Sequence, residues 1–512
     1  MKQVISISVI LLLAACGNTT GGRSGAEAVR SGESSGRPNV LVILADDMGY
    51  SDLGAYGGEI DTPHLDALAA GSRRYRRFYN AARCCPTRAA LLTGRYPHAV
   101  GMGGMVSPRE ATPDAGPYQG YLRHDLPTLA ETLQGAGYRT WMSGKWHVGE
   151  HPDNWPLRRG FERYFGLISG ASSYYTIRTD QPRYRQMVLD SLPWSPPATG
   201  FYATSAYGDF AVERLGETDE QPFFGYLAFT APHWPLHAPE ATVRKYLPRY
   251  AAGWDSLRIA RHARQLRTGL VPPATTLLPT DPEVPPWTEV TDRATWVRKM
   301  AVYAAMVEEM DQAIGRVLSA LESTGQRNNT LVFFLSDNGG CDESVVQRNL
   351  HRPGSTIGRP GSYEAYERPW SQLSNVPFRR YKAWVNEGGI ATPLLLAWPA
   401  GGVAPEWTDA TGHVVDISAT VLAAAGIISE GPGRPLTAPE DPERLLFWEH
   451  QGQQAVRRGR YKLLRNSPDQ PWRLYDLFAD PTESTDLVGK YPDTVAELTV
   501  AYNNWWNDVN HW

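Results

Sequence analysis

Four apolar segments of this 512-residue chain run directly into residues that can carry chemistry. They span residues 39–45, 138–142, 223–229 and 330–335. A short, continuous apolar run is typical of a strand buried on both faces of a parallel sheet. Because helical patterns alternate with these segments, the sequence predicts an α/β fold with a large, mostly parallel sheet flanked by helices.

The polar residues beyond these segments would gather at one edge, since a doubly wound sheet brings the carboxyl ends of its parallel strands together. The set comprises Asp46, Asp47, Lys145, His147, His233, Asp337, Asn338 and, before a fifth apolar segment, Lys382. Singly, each has an ordinary interpretation as a helix cap, a surface lysine, a buried histidine or a turn residue. Together, three carboxylates and an amide oxygen are the ligands that Ca²⁺ or Mg²⁺ prefers, whereas zinc prefers His and Cys.

A second feature is the run Cys84-Cys85-Pro86-Thr87-Arg88, which continues as Ala-Ala-Leu-Leu-Thr-Gly-Arg to residue 95. Pro86 suits the first position of a helix, so Cys84 is predicted where free backbone N–H groups and the positive end of the helix dipole favour an anion. By itself, such a short motif favours a buried cysteine pair that opens an ordinary helix.

The number and positions of the cysteines limit the chemistry that the Cys84 thiol can undergo. The chain has four cysteines, at positions 16, 84, 85 and 341, and a disulfide between the adjacent Cys84 and Cys85 would be strained. The pattern is not that of a disulfide scaffold. An exported protein that keeps such a pair in an oxidising compartment needs another fate for the thiol.

The run from Cys84 resembles the signature of the type I sulfatases, in which the first Cys of C-x-P-x-R is oxidised to formylglycine. Further blocks resemble the arylsulfatase branch in the family's order, at residues 44–50, 144–149, 231–235, 336–339 and 381–382. Thr87 stands where Ser is commoner in the family. The resemblance spans residues 39 to about 426, and it implies an alkaline-phosphatase-like fold and hydrolysis of sulfate monoesters to an alcohol and inorganic sulfate.

The resemblance also implies a role for each candidate residue. One divalent cation would be held by an oxygen of the formylglycine at Cys84 and by Asp46, Asp47, Asp337 and Asn338. The sulfate would be surrounded by Arg88, Lys145, His233 and Lys382, and His147 would contact the formylglycine hydroxyls. In the implied mechanism one hydroxyl attacks sulfur with Asp337 as base, Lys382 and His233 assist departure of the alcohol, and His147 deprotonates the second hydroxyl to release sulfate.

Residues 1–16 are predicted to be a lipoprotein signal peptide. Lys2 precedes a short apolar run, and the ending Leu-Ala-Ala-Cys looks like a bacterial lipobox in which Cys16 receives the lipid. Ordinary cleavage at small residues is the alternative. Residues 17–37, rich in Gly and Ser, are predicted to be a flexible tether. We therefore expect an exported protein, anchored through Cys16 to a membrane of the bacterial envelope, in the periplasm or at the outer membrane.

The remaining chain is divided at the stretch Gly431-Pro432-Gly433-Arg434-Pro435. Residues 38–430 are predicted to form the catalytic domain. Residues 431–512 are predicted to form a small subdomain of an antiparallel sheet plus a helix, which donates no catalytic residue. Within the first domain, we interpret the basic run at residues 73–77 as a solvated edge.

A long segment between Cys341 and Arg380 is predicted to form part of the leaving-group pocket. Its candidate wall residues, taken together with residues 172–175, are Ser362, Tyr363, Trp370 and residues 374–378.

Charge limits the partners that the chain can bind. A formal net charge of −4 provides no basic field, so nucleic acid is not an expected partner. The expected partners are a sulfated small molecule or glycan, a membrane and, during synthesis, a formylglycine-generating maturase. Two alternative functions stay open: a phosphate- or phosphonate-ester hydrolase of the same architecture, and an inactive lipoprotein that binds sulfated glycans. Aryl, carbohydrate and steroid sulfates are all open as substrates.

Overall fold

The centre of the fold is a mixed sheet, which contains ten of the strands described in a computed structural model of the chain. The described residues are 36–106, 113–177, 185–217 and 221–510, so the predicted signal peptide, Cys16 and most of the predicted tether lie outside them. The strands are β1 (Asn39–Asp46), β2 (Arg73–Tyr79), β3 (Arg139–Lys145), β4 (Arg163–Leu167), β5 (Met187–Leu189), β6 (Leu192–Trp194), β7 (Phe223–Pro232), β8 (Thr330–Ser336), β9 (Leu394–Ala397) and β10 (Trp407–His413).

The strand order is β10-β2-β9-β8-β1-β7-β3-β4-β5-β6. The five neighbours from β8 to β4 pair in parallel, whereas β9 is antiparallel to both β8 and β2. The four apolar segments of the sequence are β1, β3, β7 and β8, which lie side by side in this parallel block. The prediction of a mostly parallel sheet whose strand ends meet is therefore confirmed.

Helices cover both faces of the sheet. They are α1 (Pro63–Ala70), α2 (Cys84–Thr93), α3 (Leu129–Gly135), α4 (Ala203–Gly216), α5 (Glu240–Tyr250), α6 (Gly253–Arg267), α7 (Arg293–Ser323), α8 (Glu367–Ser374), α9 (Glu387–Ile390) and α10 (Val415–Ala424). Strand β1 alternates between two cores: Leu41 and Ile43 pack in the core that contains most of α7, and Val42 packs in the core that contains α2. Each such fully buried aliphatic side chain contributes about 1.5–3 kcal/mol, which explains why β1 is apolar on both faces.

The C-terminal region forms a separate, smaller sheet. Its antiparallel strands are β11 (Leu445–His450), β12 (Gln453–Arg458), β13 (Tyr461–Arg465) and β14 (Arg473–Asp476), and α11 (Pro492–Asn510) packs on them. Leu498 and Tyr502 of α11 are buried in the same apolar cluster as Val456 and Leu463. The predicted antiparallel sheet plus helix is confirmed. Within the described ranges, no helix combines the length and the apolar character needed to cross a membrane.

The structure overturns two interpretations of the sequence. The basic run at residues 73–77 is not a solvated edge, because it forms most of β2, which is paired on both sides, and its Arg77 forms an ion pair with Asp409 at 3.1 Å. Trp370 does not line a pocket, because its side chain is fully buried in the apolar core beside Trp254, with ring centroids 5.3 Å apart.

Candidate active site

Two consecutive carboxylates reach the same site at the end of β1. Side chains normally alternate between the faces of a strand, but Asp47 has a φ of +67°, and this left-handed conformation interrupts the alternation just after Asp46. Aspartate tolerates that conformation better than most residues. An oxygen of Asp46, an oxygen of Asp47 and a ring nitrogen of His233 consequently lie within 4.8 Å of one another.

The first half of the site is a fully buried chain of charges across three strand ends and α2. Lys145 Nζ, at the end of β3, donates to Asp46 Oδ2 at 2.6 Å. Arg88 of α2 donates from Nε and Nη2 to Asp337 Oδ2 at 3.0 and 2.8 Å, and from Nη1 to the backbone oxygen of Lys145 at 2.7 Å. These four side chains have no solvent-exposed surface, so their charges depend on one another rather than on water.

Asp47 is the centre of the second half. Lys382 Nζ donates to Asp47 Oδ2 at 2.8 Å, and His233 Nε2 lies 3.5 Å from the same oxygen. Asn338 Nδ2 donates to the other carboxylate oxygen at 2.7 Å, and the backbone N–H of Asp47 donates to Asp337 Oδ1 at 3.2 Å. The residues predicted from four strand ends, except His147, thus form one connected cluster with Arg88 and Lys382.

Cys84 is the first residue of α2, with Arg83 as the N-cap. Pro86 is therefore the third residue of the helix and not the first. Its missing N–H costs no hydrogen bond at the third position either, because the first four N–H groups of a helix have no intrahelical partner. The sulfur atoms of Cys84 and Cys85 and a ring nitrogen of His147 lie within 4.8 Å of one another. His147, with a φ of +58°, follows the end of β3.

Burial and neighbouring charges set the protonation of the site. A hydrogen bond from Cys85 lowers the pKa of Cys84 well below its usual range, and Lys145 adds to this effect. Burial lowers the pKa of His147 and of His233 to about 3, so both imidazoles are neutral at pH 7. Burial would raise the pKa of Asp47, but His233 and Lys382 lower it to about 2.

The site has the features of a cation site. Asp46 Oδ1 and Asn338 Oδ1 are buried and lack a hydrogen-bond partner in the described part of the chain, although buried polar atoms are nearly always paired. Burial raises the pKa of Asp46 and of Asp337, a cost that a nearby positive ion would offset. The oxygen-rich donor set fits Ca²⁺ or Mg²⁺.

The sequence reasoning missed two residues that shape the site. Glu343 accepts from Trp234 Nε1 at 3.0 Å and forms an ion pair with Arg83 at 2.8 Å, and Lys382 and Arg83 lower its pKa against the opposing effect of burial. The only indication of Glu343 in the sequence is its position shortly after Asn338. Gly170 packs on the His147 ring, since a Cβ there would lie 2.4 Å from ring atoms, and nothing in the local sequence indicates this contact.

Comparison with known proteins agrees with the fold and identifies the family. A sequence profile described as Sulfatase matches residues 38–427. The chain is 34% identical to an uncharacterized sulfatase of Schizosaccharomyces pombe, over 90% of this chain and 92% of the relative. It is 35% identical to an arylsulfatase of Klebsiella aerogenes, over 76% of this chain and 87% of the relative. A crystal structure of Ps i-CgsB in complex with k-i-k-neocarrahexaose has the same fold, with a TM-score of 0.69, 24% identity and coverage of 93% and 94% of the two chains.

The architecture places the chain in the class of α/β proteins with an alkaline-phosphatase-like fold. Within that class, the chain belongs to the sulfatase family, and it is a sulfuric ester hydrolase. The resemblance found in the sequence is thereby confirmed.

Proposed function

We propose that this sulfatase uses a formylglycine formed from Cys84, together with one divalent cation, to hydrolyse sulfate monoesters. The observation that carries the proposal is the pair of buried oxygens, Asp46 Oδ1 and Asn338 Oδ1, which lie in a cluster next to Cys84 and have no hydrogen-bond partner among the described residues. The charge of Cys84 influences the pKa of both Asp47 and Asp337, so the thiol and the carboxylates share one environment.

The cation would be held by Asp46, Asp47, Asp337 and Asn338, with Cys84 in its modified form. When bound, such an ion supplies Lewis-acid polarisation of an oxygen at the reacting centre. His147, neutral at pH 7, is suited to accept a proton, and its Nδ1 has no partner among the described residues.

Two lysines are suited to bind the sulfate group directly. An ammonium group has three N–H donors, and Lys145 and Lys382 each direct one to a carboxylate, to Asp46 and Asp47 respectively. The remaining donors are available to sulfate oxygens. Arg88 differs, because all three of its guanidinium nitrogens already donate: Nε and Nη2 to Asp337, and Nη1 to the backbone oxygen of Lys145. Its main contribution is to hold Asp337 in place and to add positive charge.

The leaving alcohol requires a proton or a hydrogen-bond donor, and Lys382 is better placed than His233 to provide it. His233 Nδ1 lies 2.6 Å from the backbone oxygen of Trp234, which can only accept, so that nitrogen carries the hydrogen. In the neutral ring Nε2 is then an acceptor. The Lys382 cation is stabilised because Asp47 outweighs the effect of burial and raises its pKa well above the usual value. Lys382 therefore serves as the donor, and the neutral His233 ring, fixed by its Nδ1 hydrogen bond, lies beside Asp47.

Three measurements on protein produced together with a maturase test the proposal. Peptide mass spectrometry is expected to show an aldehyde at Cys84 and a thiol at Cys85. Elemental analysis is expected to find one Ca²⁺ or Mg²⁺ per chain. Hydrolysis of an aryl sulfate is expected to stop when a strong chelator removes the ion. An unmodified thiol in fully active enzyme, or two zinc ions per chain, would refute it.

The substrate is proposed to be a sulfated small molecule or glycan. The relative from Klebsiella aerogenes is named an arylsulfatase, and the structural neighbour Ps i-CgsB holds an oligosaccharide. Comparison of kcat/KM over a panel of aryl sulfates and sulfated saccharides shows which of these two substrate classes the enzyme prefers. Faster hydrolysis of phosphonate esters than of any sulfate would contradict the proposal.

We also propose attachment to the bacterial envelope through a lipid on Cys16, a proposal that rests on the lipobox-like sequence alone. The wild-type protein is expected in the membrane fraction of cells and Cys16→Ala in the soluble fraction. Equal partition of both proteins would count against the anchor.

A further inference from the structure

The segment that carries Lys382 has an unusual backbone. We call residues 382–387 the Lys382 segment. Its second residue, Ala383, has a φ of +71°, a left-handed conformation that costs a non-glycine residue of this kind about 1 kcal/mol or more. Such a conformation persists only where the surroundings enforce it. The backbone N–H groups of Lys382 and Ala383 donate to the backbone oxygens of Gly340 at 3.1 Å and Ala82 at 2.8 Å, which fixes the start of the segment beside Cys84.

The middle of the segment is held by one side chain of the C-terminal sheet. Gln453 Nε2 donates to the backbone oxygen of Ala383 at 2.8 Å, and Gln453 Oε1 accepts from the backbone N–H of Val385 at 3.4 Å. Gln453 is nearly buried, with 9% of its surface exposed. One amide thus bridges the two peptide groups on either side of Trp384.

Gln453 is itself rigidly placed. It is the first residue of β12 and pairs with His450 of β11 across a two-residue turn. Both turn residues, Gln451 and Gly452, have positive φ values, of 53° and 84°, as a type I′ turn requires. The adjoining strand is docked on the catalytic domain, because Trp448 Nε1 donates to the backbone oxygen of Asn80 at 2.8 Å.

The far end of the segment is held by the same C-terminal region. Glu483 Oε2 accepts from Asn386 Nδ2 at 2.8 Å and from the backbone N–H of Glu387 at 3.2 Å. Lys462 of β13 bridges Glu387 and Glu483, at 2.7 and 2.8 Å. Every described hydrogen bond between the C-terminal region and the segment therefore involves the backbone of the segment or its last two side chains, and none involves the ammonium group of Lys382.

We infer that Gln453 is a positioning residue for catalysis: by holding Ala383 and Val385, it places the Lys382 ammonium group against Asp47 and the leaving oxygen. This inference rests on the proposed role of Lys382. It assigns the C-terminal sheet a part in the reaction, although the sheet contributes no group that touches the reacting atoms.

The test compares Gln453→Met with Gln454→Met. The two glutamines are adjacent in β12 and equally buried, but Gln454 lies on the opposite face and accepts from Arg465 Nε at 2.6 Å. We expect Gln453→Met to lower kcat by about tenfold to a hundredfold with little change in KM, as misplacement of a catalytic group does. The loss should be greater for poor leaving groups. Gln454→Met should change kcat less than about twofold.

A double-mutant cycle excludes a merely structural effect. In the Lys382→Ala background, Gln453→Met should cause no further loss of kcat, because there is no ammonium group left to misplace. Losses that multiply in the double variant, or a Gln453→Met enzyme that behaves like Gln454→Met, would overturn the inference. If Gln453→Met does not fold, Gln453→Glu serves instead, since it keeps the acceptor for Val385 and loses the donor to Ala383.

Hydrogen–deuterium exchange provides a readout that is independent of activity. Exchange in the peptide covering residues 382–387 should rise in Gln453→Met and stay at the wild-type level in Gln454→Met. Unchanged exchange in Gln453→Met would overturn the inference even if sulfatase activity is confirmed. A wild-type protein with no activity on any sulfate ester would instead refute the proposed function, and the exchange comparison would then decide whether Gln453 holds the segment.

Discussion

The molecule contains two buried clusters of charge that differ in how completely they are hydrogen-bonded. In the Lys462 cluster, which consists of Lys462, Glu387 and Glu483, all four carboxylate oxygens have a donor: Lys462 reaches both residues, Tyr79 donates to Glu387, and Asn386 donates to Glu483. In the active site, the carboxylate oxygen Asp46 Oδ1 lacks one among the described residues, whereas an unpaired amide oxygen occurs at both clusters, on Asn338 and on Asn386.

The difference shows which feature indicates function. Buried ion pairs occur in both places, and a buried pair by itself is compatible with a purely structural role. Oxygens left unpaired inside a charged cluster are costly unless something else binds them. The completed cluster joins the C-terminal sheet to the catalytic domain, whereas the incomplete cluster is suited to bind a cation and an anionic substrate.

The largest expected effect comes from Cys84→Ala. Turnover should fall at least about 10⁴-fold, because the variant has no nucleophile to replace the modified cysteine. The melting temperature should stay close to that of the wild type, since the side chain opens a helix and is small. Cys85→Ala is the matched control, and it should retain both the modification of Cys84 and most of the activity. Comparable losses in both variants would contradict the assignment of Cys84 as nucleophile.

Asp337→Asn should abolish the response to metal. Binding of Ca²⁺ to the wild type at a hundred times its Kd should raise the free energy of unfolding by about 2.7 kcal/mol, and a chelator should reverse this. The variant should lack the increase and lose activity about 10³-fold, because Asp337 is both a proposed cation ligand and the partner of Arg88. Thermal unfolding with and without Ca²⁺ measures the first effect. A metal-dependent shift that persists in Asp337→Asn would place the cation elsewhere.

Lys382→Ala should lower kcat/KM by about a hundredfold, which corresponds to about 3 kcal/mol for one electrostatic donor. The loss should be larger for sulfate esters with poor leaving groups, because charge develops on the leaving oxygen in the transition state. The wild type should also prefer sulfate monoesters to phosphate monoesters in kcat/KM for the same reason. Equal losses across a series of aryl sulfates would mean that Lys382 only binds the sulfate.

Glu483→Gln should have the smallest effect on chemistry and a clear effect on stability. Lys462 keeps Glu387 as a partner at 2.7 Å in this variant, so the free energy of unfolding should fall by less than the about 3–5 kcal/mol of a buried charge left with no partner. The melting temperature should therefore fall by the same amount with and without Ca²⁺, and activity should stay within about tenfold of the wild type. A loss of metal response in this variant would show that the two clusters are not independent.

Much of the fold was predictable, because strands buried on both faces must be continuously apolar. The positions of β1, β3, β7 and β8 follow from that rule. Trp370 was misinterpreted because aromatic content does not distinguish a pocket wall from a core. The basic run in β2 was misinterpreted because arginines can occupy a paired strand when their charged ends reach acids such as Asp409. Gln453 had no local signal and Glu343 had only its closeness to Asn338, because the roles of both depend on contacts with distant parts of the chain.

The sequence by itself determined the residue types of the active site and the strand ends that present them, since both are local properties of the chain. Only the tertiary structure decided which of the charged side chains form ion pairs with one another. Lys145 and Asp46 are 99 residues apart, Arg88 and Asp337 are 249 apart, and Lys382 and Asp47 are 335 apart. Which of these charges meet depends on the strand order β8-β1-β7-β3 and on the docking of the C-terminal sheet. That order results from the packing of whole elements in two cores, which no local pattern records.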